Sequence, residues 1–254
     1  MRAAATAVRL QLAVLRTSPG DLLALTTVPL LTAIFLAITR HAGRGDLAGY
    51  AVLAPAVMAI LATAITTSGE IIEIDRRSGV LELLLASPTA LAMVVSARVT
   101  TVTAVSLLAV GESWLVALAL GTKVPIAHPL IFLATLSVTA MAMSGTAAVM
   151  AALFVLSRSA RAYQNSLTYP LYLLGGALVP VALLPGWLRP LALPNFLAWA
   201  TDLLRDSLDP DPVRTAPARL AVVLTLGVTG YAVGHLLVRR VAERLRRTGS
   251  AGWA

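Results

Sequence analysis

Residues 130–156 read LIFLATLSVTAMAMSGTAAVMAALFVL, without a single charged side chain. As a helix rising 1.5 Å per residue, this run would be about 40 Å long, more than the roughly 30 Å hydrocarbon core of a bilayer. The pattern shows no alternation of polar and apolar residues, so a barrel strand is excluded. An isolated strand in lipid would also leave its backbone groups unpaired. The run predicts a membrane-spanning helix.

Five further apolar runs of spanning length lie around it, at residues 22–39, 47–68, 99–120, 166–184 and 220–238. Composition agrees, with 58% hydrophobic and 13% charged residues and a mean hydropathy of +0.84. A soluble domain carries about 25% charged residues. The expected fold is an all-α polytopic membrane protein, one transmembrane domain over residues 1–254 with six transmembrane helices.

The net charge is +8, and nineteen of the twenty basic residues are arginine. They sit between the apolar runs and form no single basic patch, which argues against a nucleic-acid partner. With the N-terminus inside, thirteen basic residues fall on the cytoplasmic side and seven outside. Both termini are therefore expected in the cytoplasm. Abundant alanine and arginine with one lysine fit a high-GC bacterial genome, and hence a bacterial plasma (inner) membrane. Without cysteine, thiol chemistry and disulfides are ruled out. His41, His128 and His235 lie too far apart in sequence to suggest a metal site.

Three segments outside the spans carry their own organisation. In residues 1–20, Arg2, Arg9 and Arg16 recur every seven residues beside Val8, Leu12 and Leu15. This predicts an amphipathic helix lying in the interface, and the arginines interrupt any secretory signal. Loop 69–98 holds Glu70, Glu73, Asp75, Arg76, Arg77 and Glu82. Ser78-Gly79 should end the helix leaving the second span, and residues 80–86 should form a short helix that Ser87-Pro88 stops. Residues 185–206 hold Pro185, Pro190 and Pro194 with Trp187, Phe196 and Trp199. Proline at that density forbids a full span, so two short external helices re-entering the outer leaflet are expected, with the aromatics at headgroup level.

The run Glu-Ile-Asp-Arg-Arg-Ser-Gly-Val-Leu-Glu-Leu-Leu-Leu-Ala-Ser-Pro at residues 73–88 resembles the loop after span two in the membrane (permease) subunit of type 2 ABC transporters, a family that exports drugs, polysaccharides and other amphipathic cargo. Gly175-Gly176, Val179-Pro180, Leu184-Pro185, Trp187-Leu188, Pro194 and Leu204-Arg205 form a second match before the last span. The resemblance implies that residues 80–86 are a coupling helix docking into a separate ATPase subunit. Glu73, Asp75, Arg76, Arg77 and Glu82 would then make polar contacts, and Gly79, Val80, Leu83 and Leu84 would shape an apolar contact face. It also implies a second permease, identical or different, beside this one. No phosphate-binding loop is present, since Lys123 follows Gly121-Thr122 alone. ATP and magnesium would bind the partner, leaving this chain with no cofactor and no catalytic residue.

Glu112 is the one carboxylate deep within a span. It is either a cargo-path or proton-linked group or a structural residue beside Ser113. Gly230-Tyr-Ala-Val-Gly234 allows close helix approach, more naturally within this chain than in a dimer. Ser144 and His235 resemble an intramembrane protease dyad only loosely, because their expected depths differ by about 12 Å at 1.5 Å per residue. A secondary transporter lacks support from inverted repeats or paired broken helices.

Overall fold

A computed structural model describes residues 23–80, 83–84, 91–156 and 160–248, together with 6, 8, 9, 11 and 13. It is helical, with no strand among the described residues. The helices are α1 (Leu23–His41), α2 (Ala48–Arg77), α3 (Leu91–Ser106), α4 (Leu108–Ala119) and α5 (Pro129–Leu156). They continue with α6 (Ala160–Leu174), α7 (Arg189–Ala192), α8 (Phe196–Asp206) and α9 (Ala216–Thr248).

Helix α2 is the hub, packing against α1, α3, α4, α5 and α6. Its apolar stretch is 72% buried, whereas that of α9 is 22% buried and forms part of the outer wall. Ile60, Leu61 and Ile65 fill the centre beside Met143 and Ala147 of α5.

Among the described residues, four apolar stretches are long enough to cross a membrane: Gly45–Thr67, Leu91–Ala119, Pro129–Phe154 and Ala216–Arg244. The apolar part of α1, Thr27–His41, is shorter, and α6 has 15 residues with Pro170 inside it. Three expected boundaries change. The third apolar run begins at Leu91, eight residues before the expected 99, because Arg98 is paired inside the protein. The fifth, expected at 166–184, leaves the helix after Leu174. Gly176 takes φ +68 there, the left-handed turn that ends helices and that glycine adopts without steric penalty. The sixth continues through its arginines to Thr248, since arginine is a good helix former.

The tightest pairing joins α5 to α9. A Cβ added to Gly145 would stand 2.6 Å from the Tyr231 nitrogen, and one on Gly234 would stand 2.8 Å from Ala148 Cβ and Val149 N. Gly227 makes the same approach to Ala142, while Gly230 has only one neighbour, at 4.0 Å. The close pairing is therefore within the chain, and Gly227 takes the place that the GxxxG spacing gave to Gly230.

Candidate functional site

Charged and polar side chains gather at the two ends of the bundle. One is the loop end, where α2 finishes and α3 starts. The other is the hairpin end, with α7 and α8.

At the loop end, α2 stops at Arg77, and Gly79 turns the chain with φ +70. The Ser78 backbone N–H and hydroxyl both donate to the Ile74 carbonyl, at 2.9 and 2.7 Å, closing the last turn. One turn earlier, Asp75 points inward. Both its oxygens accept from Arg98 Nη1, at 2.9 and 2.7 Å, and Arg98 Nε donates to Gln11 Oε1 at 2.8 Å. Asp75 and Arg98 are 5% and 4% exposed, and Gln11 is 1% exposed. One guanidinium thus joins three segments: the N-terminal helix, α2 and α3. Arg98 lies about two turns inside an apolar helix, where an unpaired charge would be costly.

The loop residues expected to meet a partner separate into different environments. Asp75 has both carboxylate oxygens bonded to Arg98 inside the chain. Leu84 is half-buried and packs partly on the chain's own core. Val80 is 37% exposed and Leu83 71% exposed. Glu73, Arg76 and Arg77 lie on α2, and Glu82 lies outside the described residues, as do Arg2 and Arg16 of the N-terminal segment. Thr6, Val8, Arg9, Gln11 and Ala13 are helical there, with Arg9 exposed and Gln11 buried.

At the hairpin end, α6 finishes in open carbonyls that other elements cap. The Thr201 hydroxyl of α8 donates to the Gly175 carbonyl at 2.8 Å, and Arg205 Nη2 donates to the Gly176 carbonyl. Tyr50 of α2 donates to the Ala177 carbonyl at 3.3 Å. The Arg205 guanidinium also lies 4.3 Å above the Tyr50 ring and 3.2 Å from Asp202 Oδ1. A cation is well placed at a helix C-terminus, where the dipole is negative. Burial lowers the Arg205 pKa, with Tyr50, Asp202 and Asp206 opposing that shift. Burial likewise raises the pKa of Asp202, against the pull of Arg205.

The two expected short helices near 185–206 correspond to α7 and α8, with Asn195 Oδ1 capping α8 through the Leu197 N–H at 3.1 Å. Pro185 and Pro194 lie outside these helices. Trp187 is 73% exposed, and Trp199 Nε1 donates to the Leu193 carbonyl at 3.0 Å. Phe196 is buried in the protein. Helix α8 turns an apolar face of Leu197, Ala200, Leu203 and Leu204 onto α5 and α9, and Phe196 begins that face.

Glu112 sits half-buried on α4. Its Oε2 is buried without a hydrogen-bond partner among the described residues. Its neighbour Ser113 is fully buried and donates to the Val52 carbonyl at 2.6 Å. Its oxygen also lies 2.8 Å from Thr32 Oγ1, so this residue stitches α1, α2 and α4 together. Ser144 donates to the Ala140 carbonyl of its own helix at 3.0 Å, which is no preparation for nucleophilic chemistry.

The sequence reading missed Arg98 and Gln11 as a joint, and Tyr50 as a cap. Arg98 left a trace, being the only charged residue between Glu82 and Glu112. Gln11 and Tyr50 left none, because their roles depend on which helix packs beside them.

No curated protein matches the chain. Residues 5–208 match the family model described as ABC-2 type transporter. That span takes in the N-terminal helix, the loop end and the hairpin helices. The chain therefore belongs to the ABC-2 type transporter family and is a transmembrane permease of an ABC transporter, not a catalytic subunit.

Proposed function

We propose that this permease exports an amphipathic or hydrophobic compound (a drug or antibiotic, a lipid or a lipopeptide) across a bacterial plasma membrane, driven by a separate ABC ATPase. ATP and magnesium bind that ATPase, and a second permease, identical or different, completes the cargo path. Six spans carry the chain: α1, α2, the α3–α4 pair, α5, α6 and α9. The distribution of basic residues supports cytoplasmic termini and a cytoplasmic loop end. Helices α7 and α8 then re-enter the outer leaflet from outside. Few charges within the apolar helices favour hydrophobic cargo over a strongly charged polymer.

The observation that carries the coupling reading is the exposure of Val80 and Leu83 just past the Gly79 turn. Two apolar side chains in water have no stabilising role alone, but they suit a partner groove. Arg76, Arg77, Glu73 and Glu82 lie beside them in sequence and would set the register through charge-assisted bonds. Residues 80–86 act as the coupling helix in this reading.

The test is Leu83→Glu. Its side chain is largely exposed, so the variant should insert and fold normally. Co-purification of the ATPase should fall at least tenfold, and export should fall with it. Wild-type capture and export by this variant would end the coupling assignment. Orientation has its own check, since a cysteine introduced at Gly79 of this cysteine-free chain should resist an impermeant reagent applied from outside.

A further inference from the structure

A groove runs along the outer face of α3, opening between α5 and α9. Its deeper part has a volume of about 660 Å³ and reaches Leu107 and Ser137. A second part of about 680 Å³ shares Thr100, Ala104 and Tyr231 with it and reaches Ala97 and Val8, beneath the N-terminal helix. From Ala97 to Leu107 the groove follows α3 and the residue after it for about 15 Å at 1.5 Å per residue. That length is half the roughly 30 Å hydrocarbon core of a bilayer.

The walls offer little to a polar ligand. Ser137 donates its hydroxyl to Leu133, Ser144 to Ala140 and Thr101 to Ala97, all carbonyls of their own helices. Hydroxyls turned back in this way leave a mostly apolar surface, with Thr100 and Tyr231 as its remaining polar side chains. At the shallow end the chemistry changes. Arg9 follows Val8 directly and is exposed, so a positive charge lies one residue from the shallow end of an apolar channel one leaflet deep.

We propose that this groove binds an anionic phospholipid of the leaflet bearing the N-terminal helix, with one acyl chain along α3 and the phosphate at Arg9. The leaflet is cytoplasmic only under the orientation proposed above. The binding itself rests on the groove, and labelling at residue 79 tests the orientation separately. A bound lipid would connect the N-terminal helix to α3 and α9, linking membrane composition to the loop end.

The test uses the purified, delipidated full-length permease, titrated with phosphatidylglycerol or phosphatidylcholine and read by native mass spectrometry. One phosphatidylglycerol per chain should be retained in preference to phosphatidylcholine. Arg9→Ala should weaken phosphatidylglycerol binding about fivefold, the effect of one basic residue near an anionic surface, and leave phosphatidylcholine unchanged. Ala140→Phe should fill the deeper groove and abolish retention. Ala104→Leu, at an exposed position, gives the same readout should Ala140→Phe fail to fold. Equal binding of the two lipids, or unchanged retention in the filled variants, would overturn the proposal. So would an efficient interchain disulfide in Ala104→Cys, which would place a second copy over the groove.

Discussion

The loop end and the hairpin end each centre on one arginine, but the two guanidinium groups are held differently. Arg98 is buried and spends itself on one carboxylate and one amide. Arg205 is less buried, with its side chain 18% exposed. It spreads its contacts over a carbonyl, a half-exposed carboxylate and an aromatic face. The first arrangement is a single strong joint whose loss strands a charge. The second is a distributed clamp, each part of which water can partly replace.

Removing one partner of a buried ion pair leaves the other uncompensated and typically costs about 3–5 kcal/mol. Arg98→Met should therefore produce the largest loss here, read as poor recovery of folded permease and a much lower thermal midpoint. Combining it with Asp75→Leu should restore most of that stability, because two apolar side chains can replace a buried pair. If coupling relies on the joint, export in the stable double variant should remain impaired relative to ATPase capture. A single variant as stable as wild type would show that water reaches the pair and erase the contrast.

The hairpin clamp should yield a smaller effect. Arg205→Met removes the cap on Gly176 and the cation above Tyr50, with an expected cost of about 1–3 kcal/mol. Arg205→Lys should recover only part, since a point charge cannot cap a carbonyl and cover a ring together. A loss equal to that of Arg98→Met would mean the two ends are built alike.

Asp202 gives the smallest effect, with a sign fixed by its pKa. Burial raises that pKa in the folded chain, so folding favours its protonated form. That contribution is complete below the unfolded pKa and is lost as pH rises through the folded value. The thermal midpoint of wild type should therefore fall relative to Asp202→Asn across that interval. At neutral pH the two should differ by no more than about 0.5 kcal/mol, as befits a half-exposed pair. A shift of opposite sign would make the Arg205 contact the dominant influence on this carboxylate.

Length and polarity, read along the chain, are local properties, and what depends on them was legible without the structure. The uncharged run at 130–156 could only be a buried or lipid-facing helix. Ser78-Gly79 marked the end of α2 because a glycine turn needs no distant partner, and the density of proline after residue 184 excluded a full span. The family motifs were equally local. Tertiary structure decided where charge is tolerated. An arginine at position 98 reads as the edge of an apolar run until the fold brings Asp75 and Gln11 to it; then it lies inside an apolar helix. Asp75 sits among residues that read as outward-facing, yet the packing of α2 turns it inward onto Arg98. Glycine at 175 and 176 ended α6 inside an apolar run because side chains from α2 and α8 were there to accept the exposed carbonyls' demand for donors. Hydropathy counts residues one at a time, whereas the cost of burying a charge or an open carbonyl depends on its partner, and partners are assigned only by the folded chain.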